Sequence, residues 1–373
     1  MPEALKAIRE TTASFVEEHL PLELVRAIDA EDRYPSEPLA ALVAEGYMGI
    51  NIDPAYGGWG GNILDAMALY EEISRRLPVL AWVVGNICLY GGEIIGKSGS
   101  EAQRRTYLPR LARGEIKFGF ALTEPDSGSD AASLKTRAER DGDGYRIYGR
   151  KMFITGAGVS DYVLTMARTS EDRYRGITAF IVDTRAVGYS ARELQKLGYR
   201  GSNTCAVSYE GVRVGPEHIL GGPEGIGHGW EHMVRLLNQE RLTLAACAVG
   251  IGRAVLEDAI EHVRRRFPGG APQGVQHRVA EMATELEAAR SLAYAAARLE
   301  ADGLPCGREA SMAKYFATDT GKRLAVQGMD LLGGEGAESG ADMQRHLRNV
   351  LVLTIGGGTS EIQKNIIARQ IGL

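Results

Sequence analysis

The sequence predicts a multidomain α+β protein in which two helical domains flank a domain of β-structure. Three observations predict this order. Apolar residues recur at helical spacing up to about residue 116, short β-branched and aromatic runs follow to about residue 226, and long alanine-rich helical windows fill the rest. Since a single core stops growing at roughly 250–300 residues, the 373-residue chain is expected to form domains at 1–116, 117–226 and 227–373.

The first domain is predicted to be all helical. Met67, Tyr70 and Ile73 lie three residues apart, which places them on one face of a helix. Ser100 followed by Gln103 has the spacing of a capping box, in which each side chain satisfies a backbone amide of the other residue. A further helix is therefore expected to begin near residue 100.

The middle domain is predicted to be an antiparallel sheet or barrel. Strands are expected at 145–148, 162–165, 177–182 and 206–209, and turn clusters such as 141–144 separate them. No helical pattern of ten residues interrupts these runs, which argues against βαβ units.

The polar turn that follows Phe120, in the stretch FALTEPDSGSD at 120–130, is a candidate ligand-binding loop. Its small hydroxyls and backbone amides can approach a phosphate or a flat ring. An ordinary polar turn is the alternative interpretation.

The last domain is predicted to be a four-helix bundle. Helical patterns cover 230–266, 275–302, 308–332 and 359–371, and the alanine-rich window at 288–297 allows helices to pack closely.

Composition narrows the possible functions. The apolar fraction is 44% and the formal net charge is −5, so the basic surplus that nucleic-acid binding requires is missing. Four widely spaced cysteines predict neither a disulfide framework nor a zinc site. The first twenty residues lack a signal-peptide pattern, and no run approaches the 18 or so apolar residues that span a bilayer, so we expect a cytoplasmic protein without a membrane partner.

Eight motifs, in order along nearly the whole chain, carry a family resemblance. They are PAYGG at 54–58, YEEIS at 70–74, LTEPDSGSD at 122–130, KMFITG at 151–156, LGYRGSNT at 197–204, VQHRVAEM at 275–282, LLGGEG at 331–336 and GGTSEIQ at 357–363. With these motifs the chain resembles the acyl-CoA dehydrogenases. The resemblance implies a helical domain, a β domain and a C-terminal four-helix bundle, with FAD bound between the last two.

The resemblance also implies roles for individual residues. Phe153 matches an aromatic residue packed on the flavin, with a core position on a strand as the alternative, and Thr155 matches the hydroxyl that reaches flavin N5. The other implied cofactor contacts within one subunit are Leu122, Thr123, Gly128, Ser129, Thr359 and Glu361. Arg265, Phe267 and Gln273 match residues that reach the cofactor of a neighbouring subunit, and Asp330, Gly333 and Gly334 match further cofactor positions. Such shared sites imply a homotetramer or homodimer.

Two segments depart from the family pattern. The segment FPGGAPQGVQ at 267–276 is about two residues shorter than usual, and Asp330 stands where the family often has a glutamine. Both departures fall in the intersubunit part of the implied cofactor site.

The catalytic base has a candidate on the first bundle helix. Most of the family carries a glutamate in a YEGTSE loop, whereas this chain reads GGGTSE at 356–361, with Gly357 at that position. A minority, including isovaleryl-CoA and long-chain enzymes, carries the base on a helix, and the matching stretch NQERL at 238–242 supplies Glu240. Leu236, Leu237 and Leu244 make the surrounding face apolar. A solvated carboxylate paired with an arginine is the alternative.

The resemblance assigns two more residues to the reaction. The Gly357 amide is expected to donate to the thioester oxygen, and Arg241 is expected to position Glu240 or the loop. The implied activity is FAD-dependent oxidation of an acyl-CoA thioester between Cα and Cβ, with an electron-transfer flavoprotein as acceptor. Three alternatives stay open: a carrier-protein-bound acyl substrate, enoyl-CoA reduction, and a flavin-binding protein without turnover.

Overall fold

The computed structural model describes residues 3–373, with side chains from residue 5 onward. Seven helices form the first domain: α1 (Glu3–His19), α2 (Leu22–Glu31), α3 (Ser36–Ala44), α4 (Ile63–Arg76), α5 (Pro78–Ile87), α6 (Ile94–Ser98) and α7 (Glu101–Ala112). A π-helical segment, Cys88–Glu93, joins α5 to α6. The predicted capping box is confirmed, because Ser100 Oγ accepts from the Gln103 amide and Gln103 Oε1 accepts from the Ser100 amide.

The continuous helical stretch Pro78–Ser98 is apolar and long enough to contradict the expectation that no run approaches a membrane span. Its length and composition pass the test for a membrane span, but 72% of the apolar window is buried inside the protein. Core helices of globular domains pass the same test, so the stretch is weak evidence for a membrane segment.

The middle domain is one curled sheet of seven strands. They are β1 (Phe118–Ala121), β2 (Arg137–Asp141), β3 (Gly144–Thr155), β4 (Tyr162–Arg168), β5 (Ile177–Asp183), β6 (Tyr189–Glu193) and β7 (Thr204–Val214). The order is β1-β4-β2-β3-β7-β6, and β5 pairs with β4. Most pairs are antiparallel as predicted, but β4 pairs in parallel with both β1 and β2.

The third domain is built on three long helices, α8 (Gly229–Arg266), α9 (Gln273–Ala301) and α10 (Gly307–Leu332), followed by α11 (Gly334–Ala337), α12 (Asp342–Leu353) and α13 (Ser360–Gln370). The sequence did not predict α12. Its buried face includes the polar residues Arg345, His346 and Asn349, which obscures the apolar period.

A buried charge cluster joins the two helical domains. Glu71 on α4 has no exposed side-chain surface and accepts from Arg9 Nη2 at 2.7 Å, Arg253 Nη1 at 2.9 Å and the Tyr294 hydroxyl at 2.8 Å. Arg290 Nε lies 3.2 Å from the same carboxylate. Burial alone would raise the pKa of Glu71, but these arginines hold it below its ordinary value. The cluster therefore connects α1, α4, α8 and α9.

Candidate active site

Glu240 lies near the N-terminal end of α8, with its carboxylate surrounded by protein and partly accessible. Burial raises the pKa of this carboxyl above its ordinary value, because a charged carboxylate loses hydration there. The Tyr90 hydroxyl, Arg241 and Lys314 oppose that shift. A carboxylate with a raised pKa binds a proton more readily than a solvated one, which suits a general base.

The loop at 356–358 brings Gly357 directly against Glu240. A Cβ added to Gly357 would lie 3.5 Å from Glu240 Oε1 and only 2.3 Å from Leu244 Cδ1. The φ angle of Gly357 is 64°, in the left-handed region that favours glycine. The helix position and the loop position thus face the same space, and here the helix alone supplies the carboxylate.

Side chains from the bundle hold the carbonyl groups of this loop. Lys314 Nζ donates to Gly358 O at 2.7 Å, and Gln363 Nε2 donates to Gly357 O at 2.9 Å. The Lys314 side chain is buried, and the loss of hydration lowers its pKa to about 8. Within residues 3–373 the Gly357 amide has no acceptor, so it is free to donate to a ligand beside Glu240.

Trp82 lies beside the glycine loop and is hydrogen-bonded to Thr155. Trp82 Nε1 donates to Thr155 Oγ1 at 3.0 Å, and the indole ring lies 4.7 Å from the ring of Tyr199. A Cβ on Gly356 would lie 3.2 Å from the same indole. Trp82 therefore connects the end of β3 with the glycine loop.

A buried ion pair fixes the candidate ligand-binding loop on β3. Glu124 accepts from Lys151 Nζ at 2.9 Å and from the Lys135 and Thr136 amides at 2.6 and 2.8 Å. Lys151 also donates to Leu122 O at 2.8 Å, and its side chain has no exposed surface. Both charged residues lie within motifs, at 122–130 and 151–156, but the sequence indicated no role for them. The sequence offered one indication of the ion pair, namely an acid in the first motif and a lysine at the start of the second.

The exposed residues beyond this ion pair fit a flat ring and a phosphate. Phe153 is 66% exposed with φ of 62°, at an irregularity in the β3–β7 register, so it is not the core residue of the alternative interpretation. Gly128 has open space around it and Ser129 is exposed. Thr123, which follows β1, is partly buried, and its carbonyl accepts from the Met152 amide of β3. An aromatic face and a small-residue loop with free donors suit FAD.

Two other predicted contacts lie at the start of α13. Thr359 Oγ1 caps this helix by accepting from the Ile362 amide at 3.3 Å, and Glu361 is exposed in its first turn. Both follow directly on the glycine loop.

A second group of predicted residues lies far from Glu240. Arg265, Phe267 and Gln273 are at the end of α8 and the start of α9. Asp330 is in the last turn of α10, Gly333 follows that helix, and Gly334 begins α11. Twenty-five residues separate Arg265 from Glu240 on α8, about 38 Å at 1.5 Å per residue. Arg265 pairs with Glu335 at 2.8 Å, and except for the half-buried Phe267 the group is exposed. Its implied role toward a neighbouring subunit stays a prediction.

Arg241 is buried beside the base but is directed to its own helix. Its Nη1 donates to Asn238 Oδ1 at 3.0 Å, and burial lowers the pKa of its guanidinium. Its charge acts on Glu240, which is compatible with the predicted positioning role.

Family models match the three domains in order. The acyl-CoA dehydrogenase N-terminal domain matches residues 2–115, the middle domain 119–212 and the C-terminal domain 227–372. The chain belongs to the acyl-CoA dehydrogenase family. It is therefore an oxidoreductase of a family of FAD flavoproteins, and the predicted three-domain fold is confirmed.

Several relatives of this acyl-CoA dehydrogenase span nearly the whole chain. An acyl-CoA dehydrogenase of Bacillus subtilis (strain 168) is 38% identical, over 92% of each chain. A mitochondrial short/branched chain specific acyl-CoA dehydrogenase of Bos taurus is 35% identical, over 98% of this chain and 84% of its own. The CarC subunit of the caffeyl-CoA reductase-Etf complex of Acetobacterium woodii is 33% identical, over 97% of each.

Solved structures are similar over the full length. Butyryl-CoA dehydrogenase from Megasphaera elsdenii aligns with a TM-score of 0.94 and 29% identity, over 100% of this chain and 98% of that one. The prolyl acyl carrier protein oxidase AnaB aligns with a TM-score of 0.93 and 26% identity, over 100% of both chains.

Proposed function

We propose that this enzyme oxidises an acyl-CoA thioester between Cα and Cβ, with Glu240 as the base that removes the α proton. The observation that carries the proposal is the position of Glu240 Oε1, 3.5 Å from where a side chain on Gly357 would begin. The carboxylate thereby occupies the space that the family's loop glutamate addresses, although it comes from α8.

The residues of the cleft divide the work between proton removal and charge stabilisation. A Glu240 oxygen accepts the α proton, and its raised pKa strengthens it as a base. The free Gly357 amide donates to the thioester oxygen, where negative charge develops as the proton leaves. Lys314 and Gln363 hold the loop carbonyls, which keeps that amide in place.

FAD, when bound, would supply the acceptor for the hydride that leaves Cβ. Phe153 would pack on its ring, and Leu122, Thr123, Gly128, Ser129, Thr155, Thr359 and Glu361 would hold it within one subunit. The distant group at the end of the bundle would complete the site of a neighbouring subunit, in a homodimer or homotetramer. The CarC relative belongs by name to an Etf complex, which supports an electron-transfer flavoprotein as acceptor.

A carrier-protein-bound acyl group is the second candidate substrate. The full-length likeness to AnaB, a prolyl acyl carrier protein oxidase by its title, favours it over other tethers. The likeness to a caffeyl-CoA reductase subunit supports a third candidate, reduction of an enoyl thioester. A flavin-binding protein without turnover is disfavoured by the buried carboxylate beside a free amide.

The decisive experiment is anaerobic reduction of the purified flavoprotein by a panel of acyl-CoA and acyl-carrier-protein thioesters. We expect at least one thioester to bleach the flavin of the wild type and none to bleach Glu240→Gln. Glu261→Gln, an exposed carboxylate on the same helix, is the matched control and should behave as wild type. Equal bleaching of Glu240→Gln would remove Glu240 from its role, and bleaching only by acyl-carrier-protein thioesters would select the second candidate.

A further inference from the structure

Trp82 lies beside the glycine loop at which the thioester binds, if the proposed function is correct. Its indole is hydrogen-bonded to Thr155 on the sheet side and, on the loop side, lies 3.2 Å from where a Cβ on Gly356 would be. Gly356 precedes Gly357, which lies against the base. An acyl group whose α carbon faces Glu240 therefore meets the indole within a short distance of its reacting carbons.

Trp82 is the one large side chain that α5 directs toward accessible space. On this helix only Trp82, Gly85 and Asn86 are not buried, and their spacing places them on one face. The small residues Gly85 and Asn86 leave space beside this face of α5, whereas the indole of Trp82 occupies it. On α5 the indole is therefore the side chain that can limit the size of an acyl group beside the loop.

The indole has no room to retreat. Tyr199 packs against it, is 3% exposed, and is itself fixed because its amide donates to Asn349 Oδ1 at 2.7 Å. On the base side, Tyr90 is buried and stacked on Phe120 at 4.4 Å. Both rings are parts of a close-packed interior, so a longer chain cannot be admitted by a small rotation of one side chain.

We propose that Trp82 is a specificity-determining residue that restricts this enzyme to thioesters of short acyl groups, such as butyryl. The indole acts through its bulk, and the hydrogen bond to Thr155 fixes its orientation. The proposal rests on the proposed dehydrogenase function and adds to it the class of acyl group.

The test compares the kcat/KM ratio of octanoyl-CoA to butyryl-CoA in wild type, Trp82→Ala, Trp82→Leu and Trp82→Phe. Since one methylene too many in an apolar pocket costs about 10- to 200-fold, wild type should strongly prefer butyryl-CoA. We expect Trp82→Ala and Trp82→Leu to raise the ratio at least tenfold, and Trp82→Phe, which keeps a ring but loses the hydrogen bond, to stay close to wild type. Trp59→Ala, at a 46% exposed tryptophan outside the cleft, is the control.

Binding of the product analogues oct-2-enoyl-CoA and but-2-enoyl-CoA, followed by calorimetry, gives a readout that does not depend on turnover. Trp82→Ala should gain affinity for the longer thioester alone. Identical chain-length profiles in wild type, Trp82→Ala and Trp82→Leu would overturn the proposal while leaving the dehydrogenase function intact. A wild type that oxidises octanoyl-CoA as well as butyryl-CoA would do the same, and failure to oxidise any acyl-CoA would overturn both.

Discussion

Replacing Gly357 by alanine tests whether the loop position beside the base is closed to side chains. Left-handed backbone costs a non-glycine residue about 1–2 kcal/mol, and forcing a methyl group into packed space costs about 1–3 kcal/mol more. The second cost arises because the new Cβ would lie 2.3 Å from Leu244 Cδ1. We therefore expect Gly357→Ala to destabilise the protein by about 2–5 kcal/mol.

The assay is thermal unfolding at fixed protein and FAD concentrations. With an unfolding entropy of about 2.1 cal/mol/K per residue, a chain of 373 residues should lose about 3–6 °C in apparent Tm. Gly57→Ala is the matched control, because Gly57 also has a positive φ, 85°, but open space around it. The decrease in apparent Tm of Gly57→Ala should reflect the backbone cost alone, about 1–3 °C.

A double-mutant cycle with Leu244→Ala separates the two costs. Once the Leu244 side chain is shortened, Gly357→Ala should cost only the backbone part, which leaves a coupling of about 1–3 kcal/mol. If Gly357→Ala costs the same in both backgrounds, to within about 0.5 kcal/mol, the overlap with Leu244 is not what closes this position. The explanation for the missing loop carboxylate would then be wrong.

Three further predictions concern the base and the cofactor loop. The positive charge of Lys314 lowers the pKa of Glu240, so Lys314→Met should raise that pKa. Because a falling pH then protonates the base sooner, the acid limb of the rate–pH profile should move to higher pH. Lys314→Arg, which keeps the positive charge, should return the acid limb to its wild-type position. Lys151→Met leaves Glu124 buried without its cation, which should cost about 3–5 kcal/mol and be visible as a lower apparent Tm and weaker FAD retention on gel filtration. Phe153→Ala removes a side chain that is 66% exposed, so it should change the stability of the apoprotein by less than about 0.5 kcal/mol yet weaken FAD binding in a fluorescence titration; an unchanged affinity would contradict its assignment to the flavin.

Local sequence signals predicted the helices, the capping box at Ser100 and several of the strands. They missed β2 and β6 because these strands, RAERD and YSARE, are short and carry charged residues on exposed positions. They missed α12 because part of its buried face is polar. In each case the signal that fixes the element comes from its partners in the fold, and no local pattern contains it.

The candidate site divides in the same way. Glu240 and Gly357 were found because each stands at a position with a recognisable motif, and the structure brings them into contact. Lys314 and the bond between Trp82 and Thr155 were missed, since these side chains reach across 44 and 73 residues of sequence. Which residue fills a cleft or holds a loop is decided by tertiary packing, so only the structure assigns it.

The charge cluster at Glu71 has a consequence for how this protein can be divided. Arginines from α1, α8 and α9 converge on one carboxylate of α4, and removing either helical domain would strand a buried charge in the other. The first and last domains must therefore match each other at this cluster, although the whole sheet separates them in the sequence. In chimaeras between relatives, an N-terminal domain should therefore be accepted only together with its own bundle.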